Sequence, residues 1–311
     1  MKIRTVKGIT DAGNFNFVDA HTHIWIKKEE SQNKNFISEE SDFPLIKSCI
    51  EDFKECNGSL LVDCTPYGCG RDVNKLRELS IETGVEVVAV TGFHLRDYYP
   101  PDSRIWEFNQ TEAVSFFIQE ITTGFKETLN KDVKIKAGLI KIPFIGSLEN
   151  TYKTLTDAAI QAAYDTCIPI LVHTEMGLNI EWFADYIEDE GIKPEKVAFC
   201  HVDKRNELIF QEKLAFRGFY LEYDTFLREK YKPEKNTWNL MSSMIKSGFE
   251  KSLMIGSDIF GNSMWGRVRA EIGYGGFFKK LAQSMVEKYE DSGVVMNILG
   301  GNAARFLSLK K

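Results

Sequence analysis

Eight short apolar segments, each followed by sequence of helical periodicity, set the framework of this 311-residue chain. They are Asn14–Asp19, Ser59–Asp63, Val85–Thr91, Ala137–Ile142, Pro169–Val172, Val197–Cys200, Phe219–Asp224 and Leu253–Asp258. Unbroken apolar runs suit parallel strands buried on both faces, whereas a half-exposed strand would alternate. Candidate helices lie between them: Pro44–Cys56, Arg71–Thr83 with Gly84 as its C-cap, Thr111–Leu129, Leu155–Thr166, Ile180–Asp189, Glu207–Phe216 and Asn236–Ser247, with further helical sequence to Lys311. Strand and helix alternate with no linker and no shift in composition. That pattern predicts one (β/α)8 TIM barrel over residues 1–311. An open doubly wound sheet offers no place for eight units whose polar residues all sit at the carboxyl ends of strands.

Bulk properties narrow the function. A net charge of −6 argues against a nucleic-acid binder, which would be basic. No run approaches a membrane span, and Met1-Lys2-Ile3-Arg4 has no apolar leader behind it. The six cysteines show no paired CxxC spacing and read as reduced thiols of a cytoplasmic protein. Cys200 reads as a small buried hydrophobe rather than a nucleophile.

The polar residues at the strand ends carry the chemistry, because barrel active sites lie there. Four of the five histidines (His21, His23, His173, His201) fall at such ends, and His94 follows in a strand-to-helix loop. Residues i and i+2 of a strand share a face, so His21 and His23 aim at one space while Thr22 points away. Asp258 adds a carboxylate after the last strand. Imidazoles with one carboxylate suit zinc, manganese, cobalt or iron better than magnesium or calcium. Lys141 interrupts the apolar run Gly138-Leu139-Ile140-Lys141-Ile142, where desolvation is expected to push its pKa down. It either reaches the strand end and pairs with Asp258, or captures carbon dioxide as a carbamate that bridges two metals.

The ordered set resembles the amidohydrolase superfamily, specifically the phosphotriesterase-like family. The resemblance rests on Asp19-Ala20-His21-Thr22-His23, Val62-Asp63-Cys64-Thr65-Pro66, Gly70-Arg71-Asp72, Thr91-Gly92-Phe93, Tyr98-Tyr99-Pro100, the Lys141 strand, His173-Thr174, His201-Val202-Asp203, Ser257-Asp258 and Gly301-Asn302-Ala303-Ala304-Arg305. It implies a centre of two divalent transition metal ions. His21, His23 and Asp258 would hold the more buried ion and His173 and His201 the more exposed one, with carboxylated Lys141 bridging. A hydroxide bridging the pair would be the nucleophile and Asp258 its general base. Thr22 stands where many relatives carry another residue.

Within that family a lactone is the expected substrate. Lys204, Arg228 and Tyr231, in loops after the sixth and seventh strands, suit an anionic group such as the phosphate of a sugar lactone. Tyr98 is expected on the opposite wall. Phosphotriester or phosphoester hydrolysis is the alternative on the same centre, as is an N-acyl-homoserine lactone whose chain would need an apolar channel from Phe226, Leu227 and Trp265. A related deoxyribonuclease would carry a carboxylate at Lys141, and a silent binding protein would lack ligands. The expected partners are a small anionic lactone and a second copy in a homodimer, with neither nucleic acid nor membrane.

Overall fold

Hydrogen bonds between the first and last strands close the sheet in the computed structural model, which describes residues 1–28, 36–289 and 291–309. The strands are β1 (Phe17–Thr22), β2 (Gly58–Asp63), β3 (Glu86–Gly92), β4 (Leu139–Phe144), β5 (Ile170–Thr174), β6 (Val197–Cys200), β7 (Tyr220–Tyr223) and β8 (Leu253–Ile255). They form one eight-stranded sheet in sequential order, each pair parallel. At the seam the His21 carbonyl accepts from the amides of Ser257 (3.2 Å) and Asp258 (2.8 Å), and the His23 amide donates to Ile259 (2.8 Å). The expected TIM barrel is the observed fold.

The unalternating strands follow from two cores. Val18, Leu60, Val62, Val88, Val90, Leu139, Leu171, Ala198 and Met254 fill the barrel interior. Their neighbours Leu61, Val87, Ala89, Ile140, Val172, Phe199 and Leu221 face outward against the helices. Both faces are dry, and the charged residues within the strands, Asp19, Lys141 and Glu222, are fully buried.

Helices α1 (Phe43–Glu55), α2 (Val73–Thr83), α3 (Gln110–Thr122), α4 (Asn150–Thr166), α5 (Ile180–Asp189), α6 (Leu208–Arg217) and α7 (Thr237–Lys246) return the chain between strands, and α8 (Gly261–Glu271) and α9 (Tyr274–Tyr289) follow β8. In α2 the Asp72 carboxylate accepts from the amides of Asn74 and Lys75, both at 3.1 Å, and Gly84 ends the helix at φ +77°. Helix α3 stops at Thr122, seven residues short of the expected Leu129. There Gly124 turns the chain at φ +152° and the Phe125 amide donates to Ile135 instead. A hairpin of Lys2–Thr5 and Gly8–Asp11, absent from the sequence reading, lies against the barrel with the Asn302–Phe306 helix. Ile3, Ala12, Ala303 and Phe306 join the interior cluster.

Gly92 ends β3 at φ +100°, and a Cβ built there would lie 2.0 Å from the Lys141 carbonyl oxygen. Gly92→Ala is expected to cost about 1–3 kcal/mol through the strained backbone alone. Urea unfolding of the variant beside the parent measures it.

Candidate metal centre

Six residues from five places in the chain converge at the carboxyl end of the barrel. His21, His23, Lys141, His173, His201 and Asp258 all line one cavity of about 310 Å³. His21 lies within β1, His23 just beyond it, Lys141 in β4, and His173 near the end of β5. His201 and Asp258 follow β6 and β8 in the left-handed region, at φ +64° and +47°. Non-glycine residues held there cost of order 1–3 kcal/mol and cluster at functional sites.

The nitrogens face one another. His21 Nε2 lies 3.1 Å from Lys141 Nζ and 3.9 Å from Asp258 Oδ1. His201 Nε2 lies 3.0 Å from His173 Nδ1, and the His21 and His201 ring centroids are 5.0 Å apart. His21, His23 and Asp258 each bring a ligand atom within 4.8 Å of the other two.

Neighbours fix the orientation of the rings. His21 Nδ1 is 2.8 Å from the Glu222 carboxylate, and His23 Nδ1 is 2.8 Å from Thr65 Oγ1. Each contact leaves Nε2 as the available nitrogen, the arrangement in which a ligating histidine is oriented by its other nitrogen. Asp224 accepts from the His201 amide at 3.1 Å. Glu175 lies 3.4 Å from His173 Nε2. The sequence reading missed Glu222, Asp224, Thr65 and Glu175. The first two carried a signal: carboxylates two residues apart in the apolar strand Tyr220-Leu221-Glu222-Tyr223-Asp224 share one face, as His21 and His23 do.

Burial holds the imidazoles neutral. Desolvation lowers His21, His23 and His201 well below the usual histidine range, and His173 to about 4. Asp258 is pushed up by burial. Lys141 departs from expectation. Desolvation pulls its pKa down, but the Cys64 and Cys200 thiols and the Asp258 and Glu222 carboxylates outweigh it, and the net direction is upward. Those partners come from β2, β6, β7 and β8 and are adjacent only once the barrel closes.

Neutral imidazoles beside a carboxylate, with ring nitrogens in mutual contact, are a donor set for borderline divalent ions.

The residues expected to hold substrate line the same cavity: Lys204, Arg228, Tyr231 and Tyr98, joined by Lys230. Lys204 Nζ sits 5.8 Å from the Tyr231 ring centroid. Arg228 donates to Asp258 Oδ2 at 2.7 Å and to the Asp258 carbonyl, so it grips a candidate ligand directly. Tyr98 stacks on His94 with centroids 4.5 Å apart. The residues suggested for an acyl channel in the alternative reading, Phe226, Leu227 and Trp265, do not line this cavity. Trp265 is buried against Tyr274, and Phe226 and Leu227 face a separate groove beside Trp238 and Phe277. Apolar walls come instead from Ile26, Phe36, Pro66 and Phe260. Residues 27–42 fall partly outside the described residues, but Phe36 among them packs on Phe260 with ring centroids 4.4 Å apart.

Residues 1–306 match the sequence profile of the phosphotriesterase family. The chain belongs to that family. The barrel resembles the crystal structure of a lactonase from Listeria monocytogenes, with a TM-score of 0.88, 21% identity and all of both chains covered. Among relatives in sequence, a phospho-furanose lactonase of Mycoplasmopsis synoviae is 28% identical over 88% of this chain and 78% of its own. An aryldialkylphosphatase of Saccharolobus solfataricus is 24% identical over 83% and 80%. Among the described residues, no helix is long and apolar enough to cross a membrane.

Proposed function

We propose that the chain, as a single domain over 1–311, is a metal-dependent hydrolase that opens an anionic lactone, a phosphorylated sugar lactone in particular. The observation that carries this is the cavity itself. Lys204, Arg228, Lys230 and Tyr231 rim the same space that the histidines, Lys141 and Asp258 line. A cationic rim over such a donor set, in a protein of net charge −6, selects a substrate that carries its charge away from the reacting carbonyl. A family relative named for a phosphorylated furanose lactone supports the same choice.

His21, His23 and Asp258 would hold one ion and His173 and His201 the other, with Lys141, as a carbamate, between them. Zinc suits this set, as do manganese, cobalt and iron. Divalent ions there lower the pKa of water toward neutrality and polarise a carbonyl or phosphoryl oxygen. The chain's own groups do the rest. Asp258 takes the proton of the attacking water, and Arg228 fixes the carboxylate's orientation through its 2.7 Å contact. As the ring C–O bond breaks, Asp258 returns that proton to the leaving alkoxide. Lys204, Tyr231 and the partnerless Nε of Arg228 face the anionic group. Tyr98 and the apolar residues close the other wall.

Kinetics on a substrate panel test the reading. Phosphorylated sugar lactones should give the highest kcat/KM. An aryl phosphotriester matching them would make phosphotriester hydrolysis the better assignment, and a long-chain N-acyl lactone would point to the Phe36–Phe260 wall. Lys204→Met is expected to raise KM about 10- to 100-fold for the phosphorylated lactone, the worth of one hydrogen bond to a charged group. The unphosphorylated lactone should be nearly unaffected, and equal losses on both would remove Lys204 from phosphate recognition.

A further inference from the structure

The barrel interior beneath the cavity holds a thiol beside the histidines. Cys200 ends β6 buried in the barrel interior, with Sγ 3.3 Å from the Val172 carbonyl. A ligand atom from each of His21, Cys200, His201 and Asp224 lies within 4.8 Å of the other three, and all four residues are buried. In tetrahedral zinc, bonds of about 2.0–2.1 Å to nitrogen and 2.3 Å to sulfur separate the ligand atoms by roughly 3.3–3.8 Å. Side-chain rotation that draws the set together while parting Asp224 Oδ2 from His201 Nδ1, now 2.7 Å apart, would seat one ion.

A second observation points to a cation. Asp224 Oδ2 lies 2.7 Å from His201 Nδ1, yet among the described residues buried His201 Nδ1 has no hydrogen-bond partner. The close contact is out of line with the ring N–H. Two electron-pair donors held so near, with no proton aligned between them, are what a shared cation satisfies. The left-handed backbone at His201, φ +64°, fixes the ring in this relation.

We infer that His21, Cys200, His201 and Asp224 form a second, deeper arrangement for a single thiophilic or borderline ion such as zinc, cobalt or cadmium. It uses two imidazoles, one thiolate and one carboxylate, a donor set such ions favour. His21 and His201 also belong to the six-residue set at the mouth, so the two arrangements exclude each other. The deeper one needs neither Lys141 nor carbon dioxide. It stands whatever the substrate is.

Cobalt titration in bicarbonate-free buffer after chelation tests this by spectroscopy. Below one equivalent, a thiolate-to-cobalt charge-transfer band should appear in the near ultraviolet. Cys200→Ser should abolish it, whereas Cys64→Ala and Lys141→Ala should keep it. Absence of the band in the parent, or its survival in Cys200→Ser, overturns the inference. Should Cys200→Ser fail to fold by circular dichroism, X-ray absorption of the parent carrying one zinc decides. A sulfur scatterer near about 2.3 Å supports the site, and a shell of only nitrogen and oxygen overturns it. Loss of the second ion and of activity in Lys141→Ala, with the band retained, separates this site from the bridged pair.

Discussion

Lys141→Ala is expected to lower kcat/KM by about 10³-fold or more and to reduce bound metal from two equivalents to one or none. Lys141 is fully buried, 3.1 Å from His21 Nε2, and is the only member of the six-residue set that β4 contributes. Alanine leaves the four imidazoles and Asp258 without the group proposed to link them. One ion alone still acidifies water, but losing its partner would remove the two-metal clamp on the attacking and leaving oxygens. Metal analysis by mass spectrometry, paired with steady-state kinetics, reads both effects. Two metals and parental turnover in the variant would remove Lys141 from the centre. Lys141→Met, close in length, separates loss of the amine from loss of packing. Carbamate formation needs the neutral amine, so metal uptake should be faster with bicarbonate present.

Arg71→Met is expected to destabilise the fold by about 3–5 kcal/mol, the cost of removing one partner from a buried ion pair. Arg71 is fully buried and all five of its N–H donors are used. Nε and Nη2 reach Glu127 at 3.0 Å each, Nη1 and Nη2 reach Glu120 at 2.9 and 2.6 Å, and Nη1 reaches the Val90 carbonyl at 3.0 Å. The guanidinium also lies 4.2 Å from the Phe125 ring centroid. Methionine keeps much of the volume and leaves two carboxylates facing each other. Lysine should not rescue the loss, because a point charge cannot make the paired forks. Burial already raises the Glu120 pKa despite Arg71. Without Arg71 it rises further above the unfolded value of about 4.3. An acid raised in the folded state is neutral in both states at low pH, so the penalty grows as pH climbs from about 4. Urea titrations of parent and variant across that window check the sign, and a pH-independent difference would rule out carboxylate repulsion as the cause.

The barrel was legible because its strands are dry on both faces, as runs such as Leu60-Leu61-Val62 require. Their ends marked the centre because His173 and His201 terminate apolar runs. The hairpin of Lys2–Thr5 and Gly8–Asp11 was illegible: it is short, and only Ile3 and Thr5 of its strand residues are buried. Glu222 and Asp224 were within reach of the i, i+2 rule that found His21 and His23, since both lie on one face of the strand. The direction of the Lys141 shift was out of reach, since it sums groups from four other strands. The placement of Phe226, Leu227 and Trp265 was out of reach for a similar reason. Nothing local shows that Trp265 turns inward to Tyr274 while Phe36 reaches the mouth.

The carbonyl that shuts the barrel belongs to His21, and it takes the amides of Ser257 and Asp258. Beside it, the Thr22 hydroxyl reaches Ile259 across 237 residues. Contacts so distant in sequence carry the largest loop entropy and form late in folding. An ion held as proposed by His21 and Asp258 would therefore have no binding place until the last strand has docked on the first. Bound there, it would favour the closed barrel by mass action.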